Sequence, residues 1–264
     1  MGGLGKAKEY LKRALAESME TLGPEHADVA RIYHDLATVH LDSGDLEKAK
    51  ECYDRALAIQ LKILGPEHEE IATTYVNLGS LNFNAGDLKE TKEFYYNALA
   101  IRLKNLEPED VRIGNVLNNL GVVHNRLGDL EQAKNFHDRA LAIRLKKLGP
   151  EHADVELTYS NLANDHLKLG DLERAKECYR SALAIQLKTI GSQHDDVAAT
   201  YIQLGNVNLN TGDLKQAKEC YDRALAIRVK KLGPEHADVA LVYSFLGGVQ
   251  IGRASCRERV SSPV

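Results

Sequence analysis

Gly44-Asp-Leu-Glu-Lys-Ala-Lys-Glu-Cys-Tyr-Asp-Arg-Ala-Leu-Ala-Ile-Gln-Leu-Lys-Ile-Leu-Gly-Pro-Glu-His68 decides the fold. The same stretch returns from Gly86, Gly128, Gly170 and Gly212, each 42 residues after the last. A worn copy opens the chain, with Gly2, Leu4, Ala7, Leu11 and Ala14 in matching places. A fixed period of this length marks one supersecondary unit per copy, which hides its apolar face only by stacking on its neighbours. The 264 residues are therefore expected to form one array rather than separate globular cores.

Inside each copy the pattern is helical. Leu46, Ala49, Tyr53, Ala56, Leu57 and Leu61 recur at spacings of three and four, while Glu47, Lys48, Lys50, Glu51 and Asp54 take the other face. Gly-Pro-Glu-His then breaks the chain, because proline blocks helix continuation and glycine tolerates the turn. Before Gly44 a first helix is predicted over about 28–42, with Ile32, Tyr33, Leu36, Ala37 and His40 as its packed stripe and Asp28 in its opening turn. Asp45 caps the second helix. Asp87 with Glu90, Asp129 with Gln132, and Asp213 with Gln216 have capping-box spacing.

Further first helices are predicted near 70–84, 112–126, 154–168, 196–210 and 238–250, and second helices near 87–106, 129–148, 171–190 and 213–232. The short turns between them force antiparallel neighbours. The expectation is an all-α, right-handed α-solenoid of antiparallel helix pairs, about 12 helices in all. Residues 2–22 form an orphan second helix; 23–64, 65–106, 107–148, 149–190 and 191–232 are complete repeats; 233–250 is an orphan first helix. Small residues in two columns should mark the closest crossings: Ala37, Gly79, Gly121, Ala163, Gly205 and Gly247, and Ala56, Ala98, Ala140, Ala182 and Ala224. Two repeats depart from the theme. The third has Glu107-Pro108-Glu109-Asp110, Leu117 for the first-helix tyrosine and His137 for the second-helix tyrosine; the fifth opens Gly191-Ser192-Gln193-His194. Drift between repeats is the plain account.

Composition excludes several functions. There are 34 basic and 38 acidic residues for a net charge of −4, without the positive excess that nucleic acid or an anionic membrane requires. Cys52, Cys178 and Cys220 share one column, so they occupy different layers and cannot pair; a reducing, cytoplasmic setting is expected. No apolar run approaches the roughly 20 residues of a membrane span. His26, His68, His152, His194 and His236 share a loop column, yet packed helices lie about 8–10 Å apart, so these imidazoles cannot converge on one metal. They are read as first-helix caps or loop contacts, and His40, His124 and His166 as interior histidines. Acidic pairs such as Glu69-Glu70 and Asp195-Asp196 suit helix N-termini. No nucleophile, base and orienting group emerge together, and no phosphate loop occurs, so the chain is read as a non-enzyme without cofactor.

Tyr75, Leu78 and Gly79 in a first helix, with Ala49, Tyr53 and Ala56 in a second, resemble the tetratricopeptide repeat. The family's usual unit of about 34 residues is exceeded here by about eight, in the loop Leu-Lys-x-Leu-Gly-Pro-Glu-His. That longer form resembles kinesin light chains and nephrocystin-type proteins, over residues 2–250. The resemblance implies a protein-interaction scaffold or adaptor that holds a linear peptide in a concave groove lined by first helices. Two alternatives are a regulatory array of a larger multidomain enzyme, such as an NTPase, and a kinesin light chain-like cargo adaptor.

By register, the groove residues implied are Asp35; Asn77, Ser80 and Asn84; Asn118, Asn119 and Arg126; Asn161, Asn164 and Lys168; and Gln203, Asn206 and Asn210. Within this set Asp35, Asn77, Asn119, Asn161 and Gln203 form one column. Asparagine costs helix stability, so its recurrence in register asks for a reason: a carboxamide offers donor and acceptor to any peptide backbone, or else it cross-links neighbouring helices or faces water. Arg126 and Lys168 add positive charge, which suits a ligand with acidic residues. Self-association through the first and last helices is also expected, since both leave apolar faces bare. Residues 251–264 are expected to be a non-native or disordered tail. Ile-Gly-Arg-Ala-Ser-Cys-Arg-Glu-Arg-Val over 251–260 breaks the repeat and resembles the translation of a sequencing-adapter oligonucleotide.

Overall fold

A computed structural model describes residues 2–261, with side chains from Gly3 to Ile251. The described residues form twelve helices and no strand. In order they are α1 (Gly2–Thr21), α2 (Ala27–Asp42), α3 (Leu46–Leu64), α4 (Glu69–Ala85), α5 (Leu88–Asn105), α6 (Val111–Leu127), α7 (Leu130–Leu148), α8 (Ala153–Leu169), α9 (Leu172–Thr189), α10 (Asp195–Asn210), α11 (Leu214–Leu232) and α12 (Ala237–Ser261). They fall into two compact units with the boundary between Asp129 and Leu130. In each unit consecutive helices pack pairwise, as an all-α repeat fold requires.

The helix ends follow from the loop residues. His26, His68, His152, His194 and His236 each accept a backbone N–H two residues on through Nδ1, at 3.1–3.3 Å. The loop histidines are therefore N-caps of first helices, one of the two roles read for them. In the third repeat Asp110 Oδ1 takes the same place, accepting the Arg112 N–H at 2.9 Å. Asp45, Asp87, Asp171 and Asp213 cap second helices through the N–H three residues on. The capping box at Asp87 is only half built, because the Glu90 carboxylate takes the Lys50 ammonium at 2.8 Å. Gly86 ends α4 with φ 88°, a left-handed conformation that a side chain would strain.

Alanines form the floor of each pair. Ala56 and Ala98 in the first unit, and Ala140, Ala182 and Ala224 in the second, are fully buried. The first-helix column of small residues is not uniform. A Cβ on Gly79 would stand 2.6 Å from the Tyr95 ring, and one on Gly205 would stand 2.4 Å from the Tyr221 ring, whereas Gly247 has open space. The close approach read for the whole column thus fails at Gly247, where no tyrosine stands over the glycine.

α12 runs to Ser261, past the Gln250 expected for the last first helix. Of the expected tail, 251–261 carries the backbone of α12, while residues 262–264 and the side chains beyond Ile251 lie outside the described residues.

Candidate functional site

In the first unit α2, α4 and α6 are the first helices of successive repeats. Ser80 of α4 donates to the Val76 carbonyl at 3.0 Å, and its oxygen lies 3.0 Å from the Tyr95 hydroxyl of α5. The same tie recurs fifteen residues apart in other repeats: Thr38 with Tyr53 at 3.4 Å, Asn164 with Tyr179 at 2.6 Å, and Asn206 with Tyr221 at 2.7 Å. The tyrosine rings are buried, so their hydroxyls stay protonated. Burial pushes Tyr179 and Tyr221 up to about 12, and raises Tyr95 as well. Ser80, Asn164 and Asn206, placed at the groove by register, therefore first serve to orient a tyrosine.

Around Ser80 the side chains open into a cavity of 250 Å³. Ser80, Phe83 and Asn84 of α4, Tyr95 of α5, and Asn119 and Val122 of α6 line it. Beside it the Arg126 guanidinium lies over the Phe83 ring, 4.2 Å from the centroid. Three of the expected site residues thus meet in one hollow, and a fourth stacks on its wall. The apolar floor of Phe83 and Tyr95 was not legible from the groove register alone. Its signal is the recurrent tyrosine fifteen residues after a polar first-helix residue.

The remaining expected residues are distributed differently. Asn77 Nδ2 lies 2.8 Å from His34 Nε2 and so links α4 to α2. Asn118 is only 4% exposed, which corrects its placement on the open groove. It shares a register column with His34, which meets Asn77 of the neighbouring first helix. Asp35 on α2 is half-buried.

In the second unit, Gln203 Oε1 accepts from Asn206 Nδ2 at 3.5 Å within α10. Asn161 is half-buried, and Lys168 and Asn210 are exposed. The carboxamide column is therefore not a uniform row facing a ligand.

A second hollow in the first unit, of 330 Å³, lies between α2, α3 and α4, with Arg31, His34, Gln60, Ile63, Glu70 and Thr73 among its walls. Among the described residues no three His, Cys, Asp or Glu side chains group as a metal site. No described helix is long and apolar enough to cross a membrane.

A family model for the tetratricopeptide repeat matches residues 1–62, 28–104, 70–146, 112–188, 154–228 and 196–257. No curated protein matches the chain. Among solved structures, BtubC (BKLC) from P. vanneervenii is similar at 26% identity and a TM-score of 0.75, over 88% of this chain and 94% of that one. A putative kinesin light chain from Podosopora anserina, with nearly identical TPR-like repeats, is similar at 26% identity and a TM-score of 0.68, over 78% of this chain and 98% of that one. A signal transduction ATPase with numerous domains from Pyrococcus horikoshii, with a tetratricopeptide repeat sensor, is similar in fold at 19% identity and a TM-score of 0.74, over 90% of this chain and 35% of that one.

Proposed function

This chain belongs to the tetratricopeptide repeat family and is a protein-interaction scaffold; we propose that it works without catalysis, by holding a linear, carboxylate-bearing segment of a partner protein at the hollow around Ser80. The observation that carries this reading is the convergence of Ser80, Asn84 and Asn119 over an apolar floor. Phe83, Tyr95 and Val122 receive one aliphatic side chain of the ligand. Asn84 and Asn119 supply donors and acceptors to its backbone, whatever its sequence. Arg126, pre-set on Phe83, offers a planar fork to a carboxylate. The helices hold these groups before the ligand arrives, so little ordering cost falls on binding.

The similarity to a putative kinesin light chain with nearly identical TPR-like repeats favours a cargo adaptor as the form this takes. A cytoplasmic setting accords with the thiols of Cys52, Cys178 and Cys220, which are free and lie in separate repeats. Self-association is supported by exposed apolar side chains on both terminal helices, Tyr10 and Met19 on one and Leu241 and Tyr243 on the other. Sedimentation should show association rising with concentration.

Selection of random dodecapeptides on the full chain, followed by fluorescence anisotropy, tests the groove. Enriched peptides should carry an acidic residue beside an aliphatic one and lose binding to Val122→Arg. If no enriched peptide lost affinity for Val122→Arg, the assignment would be overturned.

A further inference from the structure

One lysine column runs through the ends of the second helices: Lys62, Lys104, Lys146, Lys188 and Lys230. Thirty-seven residues earlier the loop of the same repeat supplies Glu25, Glu67, Glu109 and Glu151, but then Gln193. The glutamate is the lysine's intended partner. Lys62 bonds Glu25, Lys104 bonds Glu67, and Lys188 bonds Glu151 at 2.6 Å. In the fifth repeat that carboxylate has been replaced by an amide. Among the described residues no carboxylate lies within salt-bridge distance of Lys230 or Lys231.

The same change shapes a hollow. Ile190, Gln193, His194, Ile227, Lys230 and Lys231 line a cavity of 430 Å³ in the second unit. Ile190 is 44% exposed, an aliphatic surface beside two ammonium groups. His194 accepts the Asp196 N–H through Nδ1, so its Nε2 carries the proton and is a further donor. The neighbouring acidic residue Asp195 does not fill the gap, since Arg228 holds it at 3.6 Å. Asp196 stands beside His194, 3.3 Å from its Nδ1. The fifth repeat thus keeps the cation of a recurrent ion pair, Lys230, with Lys231 beside it, and lacks the anion.

We propose that this hollow is a second docking point, which takes a carboxylate side chain from an acidic segment of a partner polypeptide, with the neighbouring aliphatic side chain of that segment laid on Ile190 and Ile227. The partner does in trans what Glu151 does for Lys188 within the chain. Charge complementarity identifies the occupant: two ammonium groups and an N–H donor select an anion, and the isoleucines select an apolar neighbour over a fully hydrated one. The assignment is independent of the groove around Ser80, which lies in the other unit.

The chain's own loop supplies the probe. The hexapeptide Leu-Gly-Pro-Glu-His-Ala, the sequence of residues 148–153, carries the carboxylate that the fourth repeat uses. Titrated into the isotopically labelled full chain, it should shift amide resonances around 190–194 and 227–231. Its Glu→Gln version should bind roughly two- to fivefold more weakly, the range that loss of an exposed ion pair spans. Gln193→Glu restores the internal partner and should abolish the response. Glu151→Gln frees Lys188 and should create a new response there. Val122→Arg should leave all of this unchanged, which separates the assignment from the groove reading. Equal shifts with both peptides, an undiminished response in Gln193→Glu, or no shift at all would overturn the proposal.

Discussion

His137 Nδ1 and Asp165 Oδ2 lie 2.5 Å apart, and neither side chain is more than 1% exposed. Each residue breaks its column. Other second helices carry Tyr53, Tyr95, Tyr179 and Tyr221 where His137 stands, and other first helices carry Val39, Leu81, Val123 and Val207 where Asp165 stands. A lone imidazole or carboxyl at such depth would be costly, and their contact satisfies His137 Nδ1 and Asp165 Oδ2, while His137 Nε2 stays buried without a partner. Asp165→Val alone should therefore cost about 2–4 kcal/mol, by stranding the imidazole. His137→Phe with Asp165→Val returns both columns to apolar character, and should stand within about 1 kcal/mol of the wild type. Urea unfolding of both single variants and the pair measures the coupling. Additive losses would show that the contact does not matter.

This pair also marks how far the sequence could be read. The period, the helix pairs, the capping aspartates and the loop histidines all follow from local rules, because helix stripes and caps are set by residues within a few positions of one another. The His137 departure reads as drift within its own repeat. Its compensation lies 28 residues on, in the next repeat, and shows only when two columns are compared. The same is true of Arg102, buried at the end of α5, which donates to Glu69 at 3.2 Å and to the Arg112 carbonyl at 3.0 Å. The groove residues were legible as a face but not as a set of partners. Asn77 and Asn119 occupy one column, and only the packing of neighbouring helices shows that Asn77 meets a histidine while Asn119 meets a cavity.

Glycine at two positions of one column should respond in opposite ways. Tyr221 is fully buried, stacked on Phe245 with ring centroids 5.4 Å apart, and bonded to Asn206, so it cannot retreat from a methyl on Gly205. Gly205→Ala should lose about 1–2 kcal/mol, as overpacking outweighs the helix propensity gained. Gly247→Ala meets open space and should gain about 0.5–1 kcal/mol. Thermal melts of the two variants compare them directly, and a stabilised Gly205→Ala would refute the close packing.

Acid should weaken the array in two stages. Burial, foremost, holds the buried imidazoles of His40 and His124 below their ordinary value, against the pull of Asp45 and Asp129. The unfolded chain takes up those protons near pH 6.5 while the folded chain does so only at lower pH, so this stability is complete above about 6.5 and falls as the pH drops below it. Asp110 is held down to about 2, chiefly by its bond from the Arg112 side chain. Its contribution is present above the ordinary carboxylate range and is lost as the pH falls toward 2. His40→Asn with His124→Asn should flatten the first stage, since Asn82 and Asn208 already occupy that column. Asp110→Asn should flatten the second, keeping a cap without the charge. Denaturant midpoints from about pH 7 to about pH 2 trace both. A double asparagine variant with an unaltered slope near pH 6 would contradict the first assignment.

Substitutions on one face of the first helices should separate holding from folding. Asn77→Ala removes the bond to His34 and should cost roughly 1 kcal/mol of stability. Asn119→Ala opens onto the hollow, should leave stability nearly unchanged, and should weaken peptide capture about tenfold by removing backbone partners. Arg126 distinguishes charge from shape. Its guanidinium lies over the Phe83 ring, 4.2 Å from the centroid, and an ammonium lacks its planar fork. Arg126→Lys should therefore lose part of the affinity for an acidic peptide, and Arg126→Glu nearly all of it. Neither should move the melting temperature by more than a surface change does. Anisotropy titrations at low and high salt read these differences, because a carboxylate held by Arg126 is screened and an aliphatic anchor on Phe83 and Val122 is not. If Arg126→Glu binds acidic peptides as the wild type does, the charge lies outside the ligand's path and the hollow selects by shape alone.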